Sequence, residues 1–278
     1  MDTVIITGGA GGMGLATARI MGREHHVVLS DVSQERLDSA VETLAAEGIT
    51  ADAVVCDITD RAQVEGLVAG VSGRLGAVVH TAGVSPTMGS ANFIVRVNAL
   101  GTLNVARACL PYLSPGFALV NVASIAGHLL PKPMLPKKVF KLALAGEPEE
   151  FSEALAKKCA RGPARMHSAS AYSFSKAFVI WYSARMAAEF GARGARVLSI
   201  SPGSIDTDMG RLEESSGAGQ MVEYSALKRF GTAAEVGEVL AFCAGPKAGY
   251  LTGVDILVDG GNYAGMDFKA MMALSRGR

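Results

Sequence analysis

The sequence predicts an α/β fold, a doubly wound parallel sheet carried as one domain over residues 1–278, and three observations lead to it. Short β-branched runs alternate with helical patterns along the chain, the arrangement of a sheet covered by helices on both faces. The first run, Thr3-Val-Ile-Ile-Thr7, is apolar without alternation, as a strand buried on both sides should be. Polar or glycine punctuation follows the strands, at Asp57, Ala82-Gly83, Ser124 and Pro202-Gly203, where open parallel sheets bind their ligands.

The opening strand runs into Gly8-Gly9-Ala10-Gly11-Gly12-Met13-Gly14 and then a helical segment, Leu15 to Met21. Strand, glycine turn and helix in immediate succession form the context of a dinucleotide-binding motif. Missing Cβ atoms let the backbone approach a pyrophosphate, and the helix N-terminus offers unpaired N–H groups. The second strand, His26 to Ser30, ends in Asp31, 17 residues beyond Gly14, where a carboxylate can bond ribose hydroxyls and repel a 2′-phosphate. The glycine turn holds no Lys or Arg and Val32 follows Asp31, so nothing basic is expected there and NAD(H) is favoured over NADP(H). Asp31 could instead cap the next helix, although Ser33 can do that work.

Further strands are read at Ala53–Asp57, Ala77–His80, Phe117–Ala123, Ala195–Ser201 and Val254–Val258. Helical patterns lie between them, near 34–47, 60–72, 90–113, 168–190 and 232–243.

Composition narrows the function classes. With 49% hydrophobic residues the chain can bury a large core, and 26 Lys plus Arg against 26 Asp plus Glu leave no basic field for nucleic acid or anionic lipid. The first strand starts at residue 3, leaving no room for a leader, and no apolar run reaches the roughly 18 residues of a membrane span, so a cytoplasmic location is expected. Cys56, Cys109, Cys159 and Cys243 are scattered without ligand spacing, which suits buried thiols rather than disulfides or a metal site.

Tyr172 and Lys176 carry the clearest chemistry. At i and i+4 they share a helix face, and an ammonium near a phenol favours the phenolate, bringing an ordinarily weak acid toward useful proton transfer. Alone, the pair equally fits the wet side of any helix.

The wider series decides between these readings. Thr7, Gly8, Gly12, Gly14, Asp31, Asp57, Ala82-Gly83, Asn98, Ser124, Tyr172, Lys176, Pro202-Gly203 and Thr207 occur in that order, down to Leu257-Val-Asp-Gly-Gly261. With them the chain resembles the short-chain dehydrogenase/reductase family, in the subgroup with a Thr-Gly-x-x-x-Gly-x-Gly turn. The resemblance implies a Rossmann sheet of about seven strands, a nicotinamide cofactor (NAD, on the Asp31 argument), and interconversion of an alcohol and a ketone. It implies that Ser124 holds the substrate oxygen and Tyr172 exchanges the proton. Lys176 binds the nicotinamide ribose and lowers the Tyr172 pKa, and Asn98 holds a water leading to solvent. Asp57 bonds the adenine, and Gly8, Gly12, Met13, Gly14, Ile58, Ala82, Gly83, Pro202, Gly203, Ile205 and Thr207 lie along the cofactor.

Two departures mark the branch. Only 15 residues separate Gly83 from Asn98, and Ser124 stands 48 residues before Tyr172, so roughly 35 residues are inserted before the catalytic helix. Both features are similar to the bacterial 3α-hydroxysteroid dehydrogenase/carbonyl reductase branch. Within the insert, at about 131–165, Pro131 to Pro136 cannot continue a helix, Lys137–Ala145 and Glu149–Cys159 can, and Gly146 with Pro148 separates them. This hairpin could cap the pocket, form a subunit contact or decorate the fold, and the resemblance implies a homo-oligomer, with a dimer ahead of a tetramer.

His128 invites a catalytic role but Tyr172 and Lys176 already supply the proton chemistry, so it is read as a pocket wall. Ser85, Pro86, Leu129 and Met209 are read as further walls, with 204–224 as a mobile lid, enclosing a small-molecule hydrophobic alcohol or ketone. The alternative is a nucleotide-sensing regulatory protein of the same fold, which would tend to lose Tyr or Lys.

Overall fold

A computed structural model describes residues 2–213 and 219–266. The strands are β1 (Thr3–Thr7), β2 (His26–Asp31), β3 (Ala51–Val55), β4 (Leu75–His80), β5 (Ala118–Val122), β6 (Arg196–Pro202), β7 (Ile205–Asp206), β8 (Gly231–Thr232) and β9 (Asp255–Val258). Seven of them form one parallel sheet in the order β3-β2-β1-β4-β5-β6-β9, and β7 pairs with β8 beside it. The order reverses between β1 and β4, whose ends Thr7 and His80 are register partners, so the crevice for a ligand opens beyond those two residues.

Helices α1 (Gly12–Met21), α2 (Gln34–Ala46) and α3 (Arg61–Ala69) follow the first three strands. After β4 come α4 (Ala91–Val95) and α5 (Gly101–Cys109), and between β5 and β6 come α6 (Lys137–Phe140), α7 (Leu142–Ala145), α8 (Pro148–Cys159) and the 25-residue α9 (His167–Gly191). Helices α10 (Asp208–Glu213), α11 (Gly219–Val222), α12 (Ala233–Ala244) and α13 (Asn262–Gly265) are the remaining helices of the described residues. Neighbouring strand residues split between two cores, as the period-2 geometry of a strand covered on both faces requires. Val4, Ile6, Val27 and Leu29 meet Ala18, Leu37 and Leu240 on one face. Ile5, Val28, Leu119 and Val197 meet Val64, Leu103 and Phe178 on the other.

Ser33 caps α2, its hydroxyl accepting the Arg36 N–H at 3.3 Å, which frees the Asp31 carboxylate from that duty. The helix expected over 90–113 is broken by a π-helical turn at Arg96–Leu100. By length and mean hydropathy the stretch Ala91–Tyr112 could cross a membrane, but Asn92, Arg96, Asn98, Asn104 and Arg107 interrupt it and most of it is buried in the protein core. Its apolar content is explained by contact on nearly every side, since all of α5 except Arg107 is buried.

The insert is two short helices and a longer one rather than a simple hairpin, with a bend at Lys141 between α6 and α7. Pro148 occupies the first turn of α8, where its missing N–H costs nothing, and Glu149 and Glu150 lie at the positive end of the helix dipole with Lys157 and Lys158 at the other. Phe140, Phe151 and Leu155 are fully buried. The Phe151 and Phe178 rings lie 4.4 Å apart, and Phe140 meets Phe178 edge-on at 5.4 Å. Arg107 donates to the carbonyls of Ala143 and Gly146, closing the C-terminal end of α7. The insert is therefore part of the main core.

All four cysteines are free and buried, and burial pushes the thiols of Cys109 and Cys159 up to about 12.

Candidate active site

The glycine turn is shaped first by the chain's own backbone. Gly8 adopts φ +67°, and a Cβ there would lie 2.7 Å from the Ala82 nitrogen, so glycine lets the end of β1 press against the Ala82-Gly83 strand end. A Cβ on Gly14 would lie 2.3 Å from the Gly8 carbonyl oxygen. Helix α1 starts at Gly12 behind Gly11, which provides no side-chain cap, leaving its first N–H groups for an anion. From this turn a groove of about 500 Å3 runs past Asp31, Asp57 and Ile58 on one side and Ala82, Gly83 and Thr207 on the other. A cradle that glycines keep open, an uncapped helix start and a carboxylate at the end of β2 fit a dinucleotide.

Two basic residues do line that groove, Arg36 and Arg96, and Arg36 lies beside Asp31, correcting the expectation that nothing basic would. Arg36, on the first turn of α2, brings Nη1 to 3.9 Å from Asp31 Oδ1 and donates from Nη2 to the Ala10 carbonyl at 3.3 Å. Five residues beyond Asp31, it is returned to the carboxylate by the helical turn. Asp31 Oδ1 also accepts the Val32 N–H at 2.9 Å, and Asp57 Oδ1 accepts that of Thr59 at 2.8 Å.

Beyond Gly83 the groove adjoins a pocket of about 150 Å3 lined by Ser124, Tyr172 and Lys176 together with Met13, Pro202, Gly203 and Ile205. Ser124 stands two residues past the end of β5 and caps the short turn Ile125–Gly127, its hydroxyl accepting the Ala126 N–H at 3.2 Å. Lys176 is 5% exposed, and its ammonium donates to the Val122 carbonyl at 3.0 Å and stands 5.9 Å from the Tyr172 ring centre. The helical spacing thus places the cation beside the phenol, as the sequence implied. A Cβ on Gly83 would be 3.3 Å from Lys176 Nζ and 3.1 Å from Asn98 Oδ1, so this glycine keeps the space between them.

Asn98 sits in the π-helical turn, buried, with both side-chain groups bonded to Val84. Its own carbonyl accepts from the Thr102 hydroxyl at 2.8 Å, and Thr102 in turn meets His80 Nε2 at 3.1 Å. His80 Nδ1 meets the Thr7 hydroxyl at 2.7 Å. Complete burial and then the charge of Lys176 push His80 down to about 3, so it is a neutral crosspiece under the site.

Several expected walls move. Leu129 and Met209 line the pocket, but Ser85 is fully buried with its hydroxyl 3.0 Å from that of Thr87, and neither it nor Pro86 faces the pocket; Val84 takes that place. Met221 and Phe230 are walls the sequence reading missed, because nothing local marks residues that reach the site through tertiary packing. His128 turns away, bonding Asp255 at 2.8 Å and Ser201 at 3.2 Å. No residue of 131–165 lines this pocket. Of the proposed lid 204–224, residues 214–218 lie outside the described residues.

Residues 2–136 match the model of the family described as short chain dehydrogenase, and 160–262 match one described as Enoyl-(Acyl carrier protein) reductase. The short-chain dehydrogenase/reductase bsc3 of Alternaria brassicicola is 31% identical over 270 residues, covering 95% of this chain and 96% of that protein. The chain belongs to the short-chain dehydrogenase/reductase family. As such it is an oxidoreductase that binds a nicotinamide dinucleotide and acts on a small molecule. A second relative in this family, the 3-oxoacyl-(acyl-carrier-protein) reductase FabG of Thermotoga maritima, is 29% identical, covering 92% of this chain and 96% of that protein. Among solved structures, a short-chain dehydrogenase from Burkholderia cenocepacia in complex with NADP superposes with a TM-score of 0.74 at 25% identity, covering 94% of this chain and 98% of that one. Levodione reductase gives 0.73 at 26%, covering 95% and 98%. Residues 137–159, the helical part of the insert, fall between the two matched segments of this short-chain dehydrogenase/reductase.

Proposed function

We propose that this chain is an NAD(H)-dependent oxidoreductase that interconverts a hydrophobic secondary alcohol and its ketone, steroid-like or another bulky carbonyl, through Ser124, Tyr172 and Lys176. The convergence of those three side chains on one pocket, next to the glycine-turn groove, carries the reading. A nicotinamide dinucleotide, when bound, supplies or accepts the hydride. Ser124 Oγ holds the substrate oxygen, and the Tyr172 hydroxyl gives up or takes the proton at that atom. Lys176, buried and anchored on Val122, holds the positive charge that favours the phenolate and binds ribose hydroxyls. Asn98 acts through position, tying the π-helical turn to the strand end that carries Gly83, and its carbonyl is the atom for the water leading to solvent.

The pocket walls Val84, Leu129, Met209, Met221 and Phe230 support an apolar substrate. Asp31 supports NAD, because its partly buried carboxylate at the end of β2 would oppose a 2′-phosphate, while Arg36 beside it weakens that opposition. A homo-oligomer, dimer ahead of tetramer, is the assembly we propose on the resemblance to the 3α-hydroxysteroid dehydrogenase/carbonyl reductase branch, and light scattering after gel filtration tests it. The functional test is turnover of NADH and NADPH with a panel of steroids, aliphatic ketones and aromatic carbonyls. Activity with none of them, despite tight cofactor binding, would favour a nucleotide-sensing role instead.

A further inference from the structure

A second cavity of about 510 Å3, within the range of small-molecule sites, lies between the start of the insert and the outer face of α9. Its walls are apolar: Leu129, Leu130, Met134, Leu135, Ile180 and Trp181. Lys132 and Lys137, both exposed, stand among the lining residues, His128 is the other titratable base, and among the described residues no acidic side chain lines the cavity. The Asp255 carboxylate behind His128 is engaged by the Ser199 hydroxyl as well as by the imidazole. An apolar chamber with only basic groups around it complements an apolar chain ending in one anionic group.

We propose that this cavity binds an amphiphile of that kind, with the chain of a medium-length carboxylate against Trp181 and Ile180 and its head at Lys132 and Lys137. The site is separate from the catalytic pocket, with Leu129 as their shared wall. The partition is tight, since a Cβ on Gly127 would lie 2.9 Å from the Ala177 nitrogen and 2.8 Å from an Ile180 methyl carbon. The site does not depend on the proposed catalytic roles.

Trp181 is the only tryptophan of the chain, so its emission reports on this cavity alone. Sodium decanoate, titrated below its micelle-forming concentration into the full-length protein, should change Trp181 emission saturably and shield it from acrylamide. Decyltrimethylammonium should not. In K132E/K137E, a change confined to exposed side chains, the apparent Kd for decanoate should rise about tenfold or more, the combined scale of two reversed surface charges. The melting temperature serves as control for folding. Tyr172→Phe should bind decanoate as the parent does. No saturable response, or an equal response to the cationic amphiphile, would overturn the proposal. So would emission that shifts with protein concentration alone, which would make this face a contact between copies of the chain.

Discussion

Asn98 and Val84 are joined by two hydrogen bonds, the Asn98 carbonyl oxygen accepting the Val84 N–H at 2.9 Å and the Asn98 amide donating to the Val84 carbonyl at 2.9 Å. This clamp holds the π-helical turn against the chain leaving β4, and with it the clearance at Gly83 in front of Lys176. Asn98→Ala leaves both Val84 groups buried and unpaired, which should cost about 2 kcal/mol or more of stability. Asn98→Asp keeps the acceptor and loses the donor, so it should fall between parent and alanine variant in denaturant unfolding and in kcat.

Tyr172→Phe removes only the phenol hydroxyl proposed to exchange the proton and should leave the groove intact. Cofactor affinity should persist and turnover should fall by at least about 10²-fold, the usual scale of lost general acid/base catalysis. Unchanged kcat would show that Tyr172 is not the acid/base. Lys176→Ala should impair both cofactor binding and rate, since one ammonium is assigned both tasks.

Cofactor choice turns on the Asp31 and Arg36 pair. kcat/KM should favour NAD(H) by about tenfold or more, equivalent to roughly 1.4 kcal/mol. Asp31→Ala should narrow that preference by admitting the 2′-phosphate beside Arg36, and Arg36→Ala should widen it. A preference unaffected by either change would place the ribose elsewhere.

His80 makes stability depend on pH in a defined direction. Its folded pKa of about 3 lies below the ordinary 6.5, so the unfolded chain binds a proton between these values that the folded protein refuses. The stability is fully present above 6.5 and is lost as pH falls, at up to about 1.4 kcal/mol per pH unit. His80→Asn, which can still bond Thr7 and Thr102, should show a shallower loss than the parent in thermal melts from pH 7 to 5. Parallel curves would mean that His80 is protonated in the folded state.

The insert should behave as core. Phe151→Ala should destabilise by about 3–5 kcal/mol, the range for a large buried aromatic. Deleting 131–165 should expose Phe178 and Trp181 and lower the melting temperature well before any effect on the catalytic pocket is considered. An unshifted melt in either variant would return the insert to the status of surface decoration.

What the sequence determined by itself was whatever depends on neighbours along the chain. Thr3–Thr7 followed by the glycine turn and α1 is legible because strand, turn and helix follow one another, and Tyr172 with Lys176 because four residues make about one helical turn. The acids and lysines of α8 were legible in the same way, through their positions relative to the helix ends. Tertiary structure decided the rest, because it depends on which distant segments meet. Arg36 reaches Asp31 only after α2 packs back against the sheet. Ser85 turned inward to Thr87 while Met221 and Phe230 arrived at the pocket from more than 90 residues beyond Ser124. Phe140 and Phe151 joined the core of α9 rather than a lid, since burying aromatic surface against Phe178 outweighs leaving a helical insert in solvent.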